Sequence, residues 1–504
     1  MPAHDPDFIV IGSGTNGLVA ACTLARSGMQ VLVLERSHRR PGAELSSEQL
    51  TLPHFVHDLG PGFFPFARTS PALVELGLTQ HGITWLNAEI ESCHLASDGS
   101  RACLHRDPDA RGMTFDSDRD EQTWRALARH HARIEPELYE LLLRPAPSWA
   151  AAYRLGAPNL WNVIRTFAAS GRRLAARLFE SDASARVIPS LAAVLGAVAN
   201  RPGSGGYGYL MALAATTGGF AIPRGGSQSV ANALVSVLER HGGRLRLASE
   251  VKRVISAGGR AAGVELFDGE EIAVRRGIVA DTTPMELHRL QNPSGTLAPE
   301  PRMRGRAGSA IAAFKIDWAL TGPLPWRVEE ATRSTVVTTA ASVAALLSCQ
   351  RQVREGHLPE PPWLTFVQPT LADPSRAPYN QHTLSGIAEV PVWTAERWRE
   401  AQDRFADTIE SHVEELAPGF RRRILGRHLT PPGNGATGEH LDGASPTSRL
   451  GLLGGALGRW LSPSGHYRSG PAGLYLCSSV THPGPGLHGM CGHNAASVAM
   501  RELA

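Results

Sequence analysis

Two glycine-rich stretches near the two ends of the sequence share the spacing G-x-G-x-x-G. The first is GSGTNG at 12–17, and the second lies within PGPGLHGMCGHN at 483–494. Such a turn lets the backbone approach a pyrophosphate closely and sets helix N–H groups against its charge. The pattern predicts dinucleotide binding. It leaves open whether the chain holds two nucleotides or one nucleotide touched from both ends.

The first motif is flanked by the elements that a dinucleotide site needs. The apolar run DFIVI (7–11) reads as a strand, LVAACTLARSG (18–28) has helical spacing, and QVLVLE (30–35) reads as a second strand that ends on Glu35. A carboxylate at that point accepts hydrogen bonds from an adenosine ribose. Strand, turn, helix, strand and acid therefore stand in the order of a Rossmann-like unit.

The residues after Glu35 favour FAD over a nicotinamide cofactor. A nicotinamide domain more usually continues into its next strand–helix unit. Here ERSHRRPGAELSSE (35–48) instead makes an arginine-rich loop with a second glycine turn at Gly42 and Ala43. That order is typical of FAD-binding proteins of the glutathione-reductase type.

In four stretches the chain resembles the phytoene-desaturase-like flavoprotein oxidoreductases. This branch holds carotenoid desaturases and isomerases and the pyridine nucleotide-disulphide oxidoreductase domain-containing protein 2. The stretches lie in the family's order at 7–36, at 218–254 with 277–284, at 313–326 and at 473–496. Together they cover roughly a quarter of the chain, so the resemblance is specific to the superfamily and not to one substrate.

The resemblance implies an α/β fold with two domains, each assembled from separate segments. A discontinuous glutathione-reductase-type, Rossmann-like FAD-binding domain is expected at 1–65, 218–289 and 456–504. A substrate-binding domain, with a mixed sheet and a helical cap, is expected at 66–217 and 290–455. The cofactor-binding residues implied are Gly12, Ser13, Gly14, Thr15, Asn16, Gly17, Glu35, Arg36, Gly42, Ala43, Val251, Gly484, Gly486, Leu487 and His488.

The sequence departs from the family pattern along the expected rim of the flavin. Relatives commonly have Gly-Gly where this chain has Gly42-Ala43, NADP where it has DTTP (281–284), and GGGV where it has GPGL (484–487). The turn-rich stretch 430–465 also lacks the expected pattern. These departures leave the substrate and the outcome of the reaction open.

The second glycine motif is expected to form the far wall of the first site. Pro483 and Pro485 lack the N–H groups that a phosphate cradle uses, and only 27 residues follow GLYLC (473–477), too few for another βαβ unit. The resemblance implies that this loop passes the flavin and that a helix from near Met490 points its N-terminus at the ring. Cys491 is expected to be a small packing residue.

No catalytic base stands out from the sequence. His488 and Arg224 are weak candidates because the resemblance places both near the flavin, and Lys315 is one because related amine oxidases use a lysine there. Lys315 sits in a strand-like segment, FKIDW.

The segments between the nucleotide-binding stretches carry helical patterns, at 121–144 and 160–180, and most of the tryptophans. These tryptophans predict either ordinary core packing or an aromatic pocket for a hydrophobic substrate. They are Trp149, Trp161, Trp318, Trp326, Trp363, Trp393 and Trp398.

Composition excludes several other classes of protein. The content of 42% hydrophobic and 19% charged residues is that of a globular protein, and a net charge of +3 gives no reason to expect nucleic acid. The six cysteines and the histidines at 482, 488 and 493 lack metal-site spacing, so no metal is predicted. No secretory signal or membrane-length apolar run is evident, which predicts a cytoplasmic protein with peripheral membrane contact left open.

The sequence thus predicts an FAD-dependent oxidoreductase that desaturates or oxidises a hydrophobic or specialised metabolite. Oxygen, a quinone or another external acceptor is expected to reoxidise the flavin. The alternatives are an isomerase or amine oxidase on the same scaffold and, more remotely, a non-catalytic binding protein of the GDP-dissociation-inhibitor type. The oligomeric state is left open.

Overall fold

A computed structural model of the chain describes residues 5–60, 62–107, 115–144, 148–292, 311–432 and 467–503. Its strands are β1 Phe8–Ile11, β2 Val31–Leu34, β3 Ser47–Glu48, β4 His57–Asp58, β5 Trp85–Leu86, β6 Ile90–Leu95, β7 Arg101–Leu104, β8 Ile222–Pro223, β9 Arg244–Arg246, β10 Val251–Ala257, β11 Arg260–Leu266, β12 Glu271–Ala273, β13 Gly277–Ala280, β14 Ile311–Leu320, β15 Ser334–Thr339, β16 Leu364–Val367, β17 His382–Pro391, β18 Ile424–Thr430 and β19 Leu474–Leu476.

The helices alternate with these strands at both ends of the chain and cluster in one run between β7 and β8. They are α1 Thr15–Arg26, α2 Pro71–Leu76, α3 Asp118–Leu143, α4 Trp149–Ala168, α5 Gly171–Leu178, α6 Asp182–Ala185, α7 Val187–Val194, α8 Ser204–Thr217, α9 Gln228–Arg240, α10 Pro284–Gln291, α11 Val343–Arg354, α12 Ala395–Leu416 and α13 Met490–Leu503.

A five-stranded parallel sheet is assembled from three distant parts of the chain, in the order β19-β13-β1-β2-β9. Its central strand β1 is buried at all four residues, because helices α1, α9 and α13 pack on one face of the sheet, and the antiparallel sheet β10-β11-β12 with helix α10 packs on the other. The predicted strands at 7–11 and 30–35, and the helix between them, are confirmed. Since β19 precedes the second glycine motif, both motifs border one sheet.

A seven-stranded mixed sheet, in the order β18-β14-β17-β16-β15-β6-β7, forms the second core. Phe314 and Trp318 project from one face of β14 onto helix α12, where the ring of Trp398 lies 5.3 Å from that of Phe314. The predicted fold class, a Rossmann-like unit beside a mixed sheet with helices, is confirmed. All strands of this sheet fall within the ranges predicted for the substrate domain, and the domain boundaries themselves stay a prediction.

The single helix predicted at 160–180 is wrong. Helix α4 ends at Ala168 and α5 begins at Gly171, because the Ser170 hydroxyl accepts a hydrogen bond from the Arg173 N–H and caps a new helix. Helix α4 is itself kinked at Gly156, whose φ of 73° and ψ of 157° are not helical. Apolar spacing alone shows neither break.

The tryptophans divide between core and surface. Trp318, Trp326, Trp363 and Trp398 are buried in the hydrophobic cores, which confirms the core-packing interpretation for these four. Trp393 is partly buried against Trp398, whereas Trp149 and Trp161 on α4 are exposed. The turn-rich stretch 430–465, which lacks the family pattern, lies almost wholly outside the described residues. No helix in the described ranges is long and apolar enough to cross a membrane.

Candidate cofactor site

Helix α1 begins directly after the first glycine motif and presents its N-terminus to a cleft. Its N-cap residue Gly14 offers no side-chain cap, and the N–H groups of Thr15 and Asn16 find no acceptor among the described parts of the chain. Uncapped N–H groups and the positive end of the helix dipole together favour an anionic ligand. The local geometry therefore suits a diphosphate.

Two of the motif's glycines are required by close contacts. A Cβ atom on Gly17 would lie 2.3 Å from the carbonyl oxygen of Gly12, and one on Gly14 would lie 2.6 Å from Oδ2 of Asp281. Both distances are shorter than atoms tolerate, so a side chain at Gly17 would force α1 away from the end of β1, and one at Gly14 would displace the Asp281 carboxylate. The spacing that the sequence displays thus has a steric cause.

Glu35 organises the motif from the end of β2. Its carboxylate accepts hydrogen bonds from the N–H and the hydroxyl of Ser13, at 2.8 and 2.6 Å, and from the N–H of Ser37 at 2.8 Å. The Ser13 hydroxyl in turn accepts from the Gly42 N–H at 3.2 Å. Glu35 therefore holds the first glycine motif against the turn at Gly42 and Ala43.

One cleft gathers most of the predicted adenosine and diphosphate residues. Gly12, Ser13, Gly14, Asn16, Glu35, Arg36, Ala43 and Val251 line it, beside residues that sequence reasoning did not assign: Glu44, Ser249, Thr282, Thr283, Glu286, Ser478 and Ser479. The acid, the glycine loop and Val251 of β10 converge although they lie far apart in sequence. Donors for a diphosphate and an acceptor for a ribose stand side by side, so the residues present fit FAD.

Asp281 is the most significant residue that sequence reasoning missed. Its carboxylate accepts a hydrogen bond from the Gly17 N–H at 2.8 Å and so caps α1 from a position 264 residues away. A signal was available, because DTTP follows strand β13 directly, and the carboxyl ends of neighbouring parallel strands meet at one sheet edge. The result is a negative charge beside the glycine loop.

The predicted flavin-facing loops carry backbone strain. Ala43 and Leu487 have φ values of +49° and +53°, in the left-handed region that disfavours side chains. Relatives commonly have glycine where this chain has Ala43, and the left-handed φ explains that preference. Strained residues of this kind concentrate at ligand sites.

His488 is packed inside the C-terminal loop. Its Nδ1 accepts from the Met490 N–H at 3.0 Å, and its carbonyl oxygen accepts from the Ser70 hydroxyl at 2.6 Å. Burial lowers the pKa of His488 to about 4, so the ring is neutral near pH 7. The structure thus places this candidate as a neutral cap at the start of α13.

Cys491 follows one residue into α13 and is fully buried. Its thiol donates to the carbonyl oxygens of Thr481 and Gly484, and burial raises the thiol pKa to about 12. A protonated, packed thiol agrees with the predicted structural role.

The other two catalytic candidates lie outside the cleft. Arg224 is exposed on the turn after β8. Lys315 is buried on β14 and donates to Asp317, whose other oxygen accepts from the Ser385 hydroxyl at 2.6 Å. Burial opposes ionisation of Asp317, but the Lys315 charge and the neighbouring His57 ring together outweigh it and hold the pKa of that carboxyl well below its usual range. Lys315 thus serves a buried ion pair.

A second buried network joins segments that are distant in sequence. The Arg376 guanidinium donates to Asp58, to Asp373 at 3.2 Å and to the carbonyl oxygen of Pro223 at 2.7 Å. Asp58 also accepts from the Ser227 N–H at 2.7 Å. Burial raises the pKa of Asp58, but the Arg376 charge and these hydrogen bonds bring it below the usual value.

The fold and the cleft fit an FAD-binding protein, and comparison with known proteins shows that it is an oxidoreductase. A family model described as flavin containing amine oxidoreductase matches residues 17–306, more than half of the sequence. The chain belongs to this family. The expected resemblance to phytoene-desaturase-like flavoproteins is also confirmed by curated relatives, and with it FAD as the cofactor.

Two relatives match almost from end to end. Pyridine nucleotide-disulfide oxidoreductase domain-containing protein 2 of Mus musculus is 27% identical over 99% of this chain and 94% of its own length. Hydroxyneurosporene desaturase of Cereibacter sphaeroides is 27% identical over 99% and 98%. Among solved structures, a redesigned putrescine oxidase has a TM-score of 0.60 at 17% identity, covers 99% of both chains and shows a shared fold.

Proposed function

We propose that this FAD-dependent oxidoreductase desaturates or oxidises a hydrophobic or specialised-metabolite substrate. The observation that carries the proposal is the full-length similarity to a hydroxyneurosporene desaturase. The first glycine motif supports it, because its Thr15 and Asn16 N–H groups, which find no acceptor among the described residues, suit a diphosphate. The family also contains amine oxidoreductases, so oxidation of an amine is the competing function.

We assign the cofactor contacts from the geometry of the cleft. The loop from Gly12 to Gly17 would hold the diphosphate, Glu35 and Arg36 the ribose, and Val251 the adenine. Gly42 and Ala43, together with the C-terminal loop residues Gly484, Gly486, Leu487 and His488, would border the flavin. The two discontinuous domains would keep the boundaries predicted from the sequence.

FAD, when bound, supplies a hydride acceptor for an activated C–H bond of the substrate. The protein's task is to orient the substrate, exclude water and set the local charge. Helix α13 contributes its positive N-terminus, which favours negative charge nearby. His488, being neutral, donates or accepts hydrogen bonds there without adding charge.

Reoxidation is assigned to oxygen, a quinone or another external acceptor. Both glycine motifs border a single sheet, so the described residues provide one nucleotide cradle. That arrangement gives no support to a resident nicotinamide cofactor.

Anaerobic incubation of the purified flavoprotein with candidate substrates tests the proposal. Acyclic carotenoids and other terpenes form one panel, and primary amines and polyamines form the other. Bleaching of the flavin absorbance by the first panel supports desaturation or oxidation, and bleaching by amines alone supports the competing function. A product formed without net bleaching identifies an isomerase, and a colourless protein identifies a binding protein.

A Gly14→Ala variant is the matched control, because its Cβ would collide with Asp281. It is expected to lose bound flavin and all turnover while it retains its secondary structure. Subsequent addition of oxygen or a soluble quinone to the reduced wild-type enzyme then distinguishes the electron acceptors.

A further inference from the structure

A second cleft, of about 550 Å³, lies between the run of helices that follows β7 and helix α11. Its walls are α5, the segment that joins α7 to α8, and α11, which packs against strand β17 of the mixed sheet. The described residues that line it are all different from those that line the cofactor cleft. Its volume is that of a site for a small molecule.

One face of each helix borders this cleft. The lining residues of α11 recur every three or four positions, namely Ala344, Leu347, Ser348, Arg351 and Arg354. On α5, Arg172 and Ala176 are likewise four residues apart. Leu346 and Val353, on another face of α11, are buried in the protein. Helical spacing therefore turns two faces that combine small residues with arginine towards one space.

Three arginines border the cleft, Arg172 on α5 and Arg351 and Arg354 on α11. None of them forms an ion pair with a residue in the described ranges. Arg351 donates to the Ser348 hydroxyl at 3.4 Å, and Asp182 alone is acidic among the described lining residues. A guanidinium group offers two parallel N–H donors to a phosphate. Three such groups against one carboxylate favour a ligand with at least two negative charges.

Gln350 gives the cleft a fixed polar floor. Its side chain is buried, accepts a hydrogen bond from the Ala199 N–H at 2.9 Å, and donates to the Ala197 carbonyl oxygen and to Oε1 of Glu389, both at 3.2 Å. These bonds hold the segment between α7 and α8 against α11 and β17. Burial raises the pKa of Glu389 to about 8, so this carboxyl is protonated near pH 7 and does not oppose an anion above it.

The remainder of the wall is apolar. Ala175 and Val198 are buried at the cleft, and Leu347 is partly buried there. An inorganic ion would leave this surface without a contact. A ring or chain attached to the charged group would cover it and gain from its removal from water.

We propose that this space, which we call the α5–α11 cleft, binds a soluble organic phosphate with two or more negative charges, of which a nucleoside triphosphate is the type. The arginines contact the phosphates, and the apolar wall contacts the organic part. A ligand that spans α5 and α11 joins the helical run to the mixed-sheet core and so stabilises the folded protein. This binding does not depend on the proposed reaction.

Isothermal titration calorimetry of the FAD-loaded protein tests the cleft with ATP, adenosine and inorganic tripolyphosphate as probes. ATP is expected to bind at least tenfold more tightly than adenosine, because only ATP offers phosphates to the arginines. Tripolyphosphate is expected to bind more weakly than ATP, because it leaves the apolar wall uncovered. Saturating ATP is expected to raise Tm by about 2 °C.

Variants on the two helices locate the binding. Arg351→Gln with Arg354→Gln is expected to weaken ATP binding at least tenfold and to abolish the rise in Tm. Ala344→Trp, at an exposed position, is expected to fill the cleft and cause the same loss with every arginine in place. Arg399→Gln with Arg404→Gln, exposed on α12, is the matched control and should bind ATP normally. The flavin content and Tm of each variant without ATP show that its fold is retained.

Three results would overturn the proposal. In the first, the FAD-loaded wild-type protein binds neither ATP nor tripolyphosphate below about 1 mM. In the second, the α11 variants bind ATP as tightly as the wild type, or the α12 control loses as much affinity as they do. In the third, ATP releases FAD into the filtrate, which places the nucleotide in the cofactor cleft.

Discussion

Asp281 places a carboxylate beside the first glycine motif, whose Thr15 and Asn16 N–H groups find no acceptor among the described residues. It lies within reach of Gly14 and Gly17 and lines the same cleft as Glu35. Relatives often have asparagine at this position, which would keep the shape and the capping hydrogen bond but carry no charge. The charge is therefore a property of this chain that its cofactor must tolerate.

Asp281→Asn is expected to tighten FAD binding about fivefold. Removing one negative charge a few ångströms from a diphosphate relieves a repulsion of about 1 kcal/mol. Titration of the apoprotein with FAD, followed by quenching of flavin fluorescence, measures the change in Kd. The exposed residue Asp268 gives the control Asp268→Asn. Unchanged or weaker binding in Asp281→Asn would show that the carboxylate does not repel the cofactor.

His488 is expected to make the protein less stable in mild acid. Its folded pKa of about 4 lies below the ordinary value of about 6.5, so the unfolded chain binds the proton more tightly. This stability is present above pH 6.5 and is lost as the pH falls towards 4. Between pH 7 and pH 5 the loss is about 2 kcal/mol.

His488→Asn tests that expectation, because asparagine keeps an acceptor for the Met490 N–H and does not titrate. Urea unfolding at both pH values should show a smaller loss of free energy of unfolding in the variant than in the wild type. Equal losses in the two proteins would mean that His488 does not contribute to the pH dependence.

At the scale of elements, the contact between α1 and α13 joins the two glycine motifs. A Cβ on Gly492 of α13 would lie only 1.9 Å from the carbonyl oxygen of Asn16 and 3.0 Å from the Ala20 nitrogen. The two helices therefore touch backbone to backbone. Because Asn16 also offers its N–H to the cleft, the spacing of these helices sets the shape of the cofactor site.

Gly492→Ala is expected to push α13 from α1, lower the free energy of unfolding by about 2–3 kcal/mol and reduce flavin content. Thermal unfolding and the ratio of flavin to protein absorbance measure both effects. Gly322→Ala provides the control, since its Cβ would meet only the end of the Arg423 side chain, at 3.4 Å. Normal stability and flavin content in Gly492→Ala would contradict the close contact.

At the scale of the whole molecule, Arg376 links the two predicted domains. Its acceptors are Asp58 and Pro223, from segments predicted to bind FAD, and Asp373, from the substrate segment. Asp373 also accepts from the Gly225 N–H at 2.6 Å. Arg376 and its two carboxylate partners, Asp58 and Asp373, are buried, so an unpaired partner among them cannot be rescued by water.

Arg376→Met is expected to lower the free energy of unfolding by about 3–5 kcal/mol, because it leaves buried carboxylates without their cation. Urea unfolding followed by both flavin fluorescence and circular dichroism measures the loss and shows whether the two domains still unfold together. Arg404→Met, at an exposed position on α12, should have little effect. A wild-type free energy in Arg376→Met would refute the linking role.

The sequence alone determined the local parts of this molecule. Strand β1, the glycine turn, helix α1 and β2 follow one another within about thirty residues, and each pattern there is a short-range property of the chain. The resemblance extended that prediction to the fold and to FAD. It also identified the cleft residues of the first glycine motif, Glu35 and Arg36 at the end of β2, and Val251 of β10.

The tertiary structure decided what depends on contacts between distant residues. Asp281 caps a helix 264 positions earlier, Arg376 reaches Asp58 across 318 positions, and the Ser170 cap divides a helix whose apolar spacing continues. Such contacts leave no periodic pattern in the sequence. The packing of neighbouring elements brings the partners together, and the residues adjacent to them in the chain do not specify it. The physical reason is burial: a polar side chain taken from water must find its partner wherever the fold supplies one.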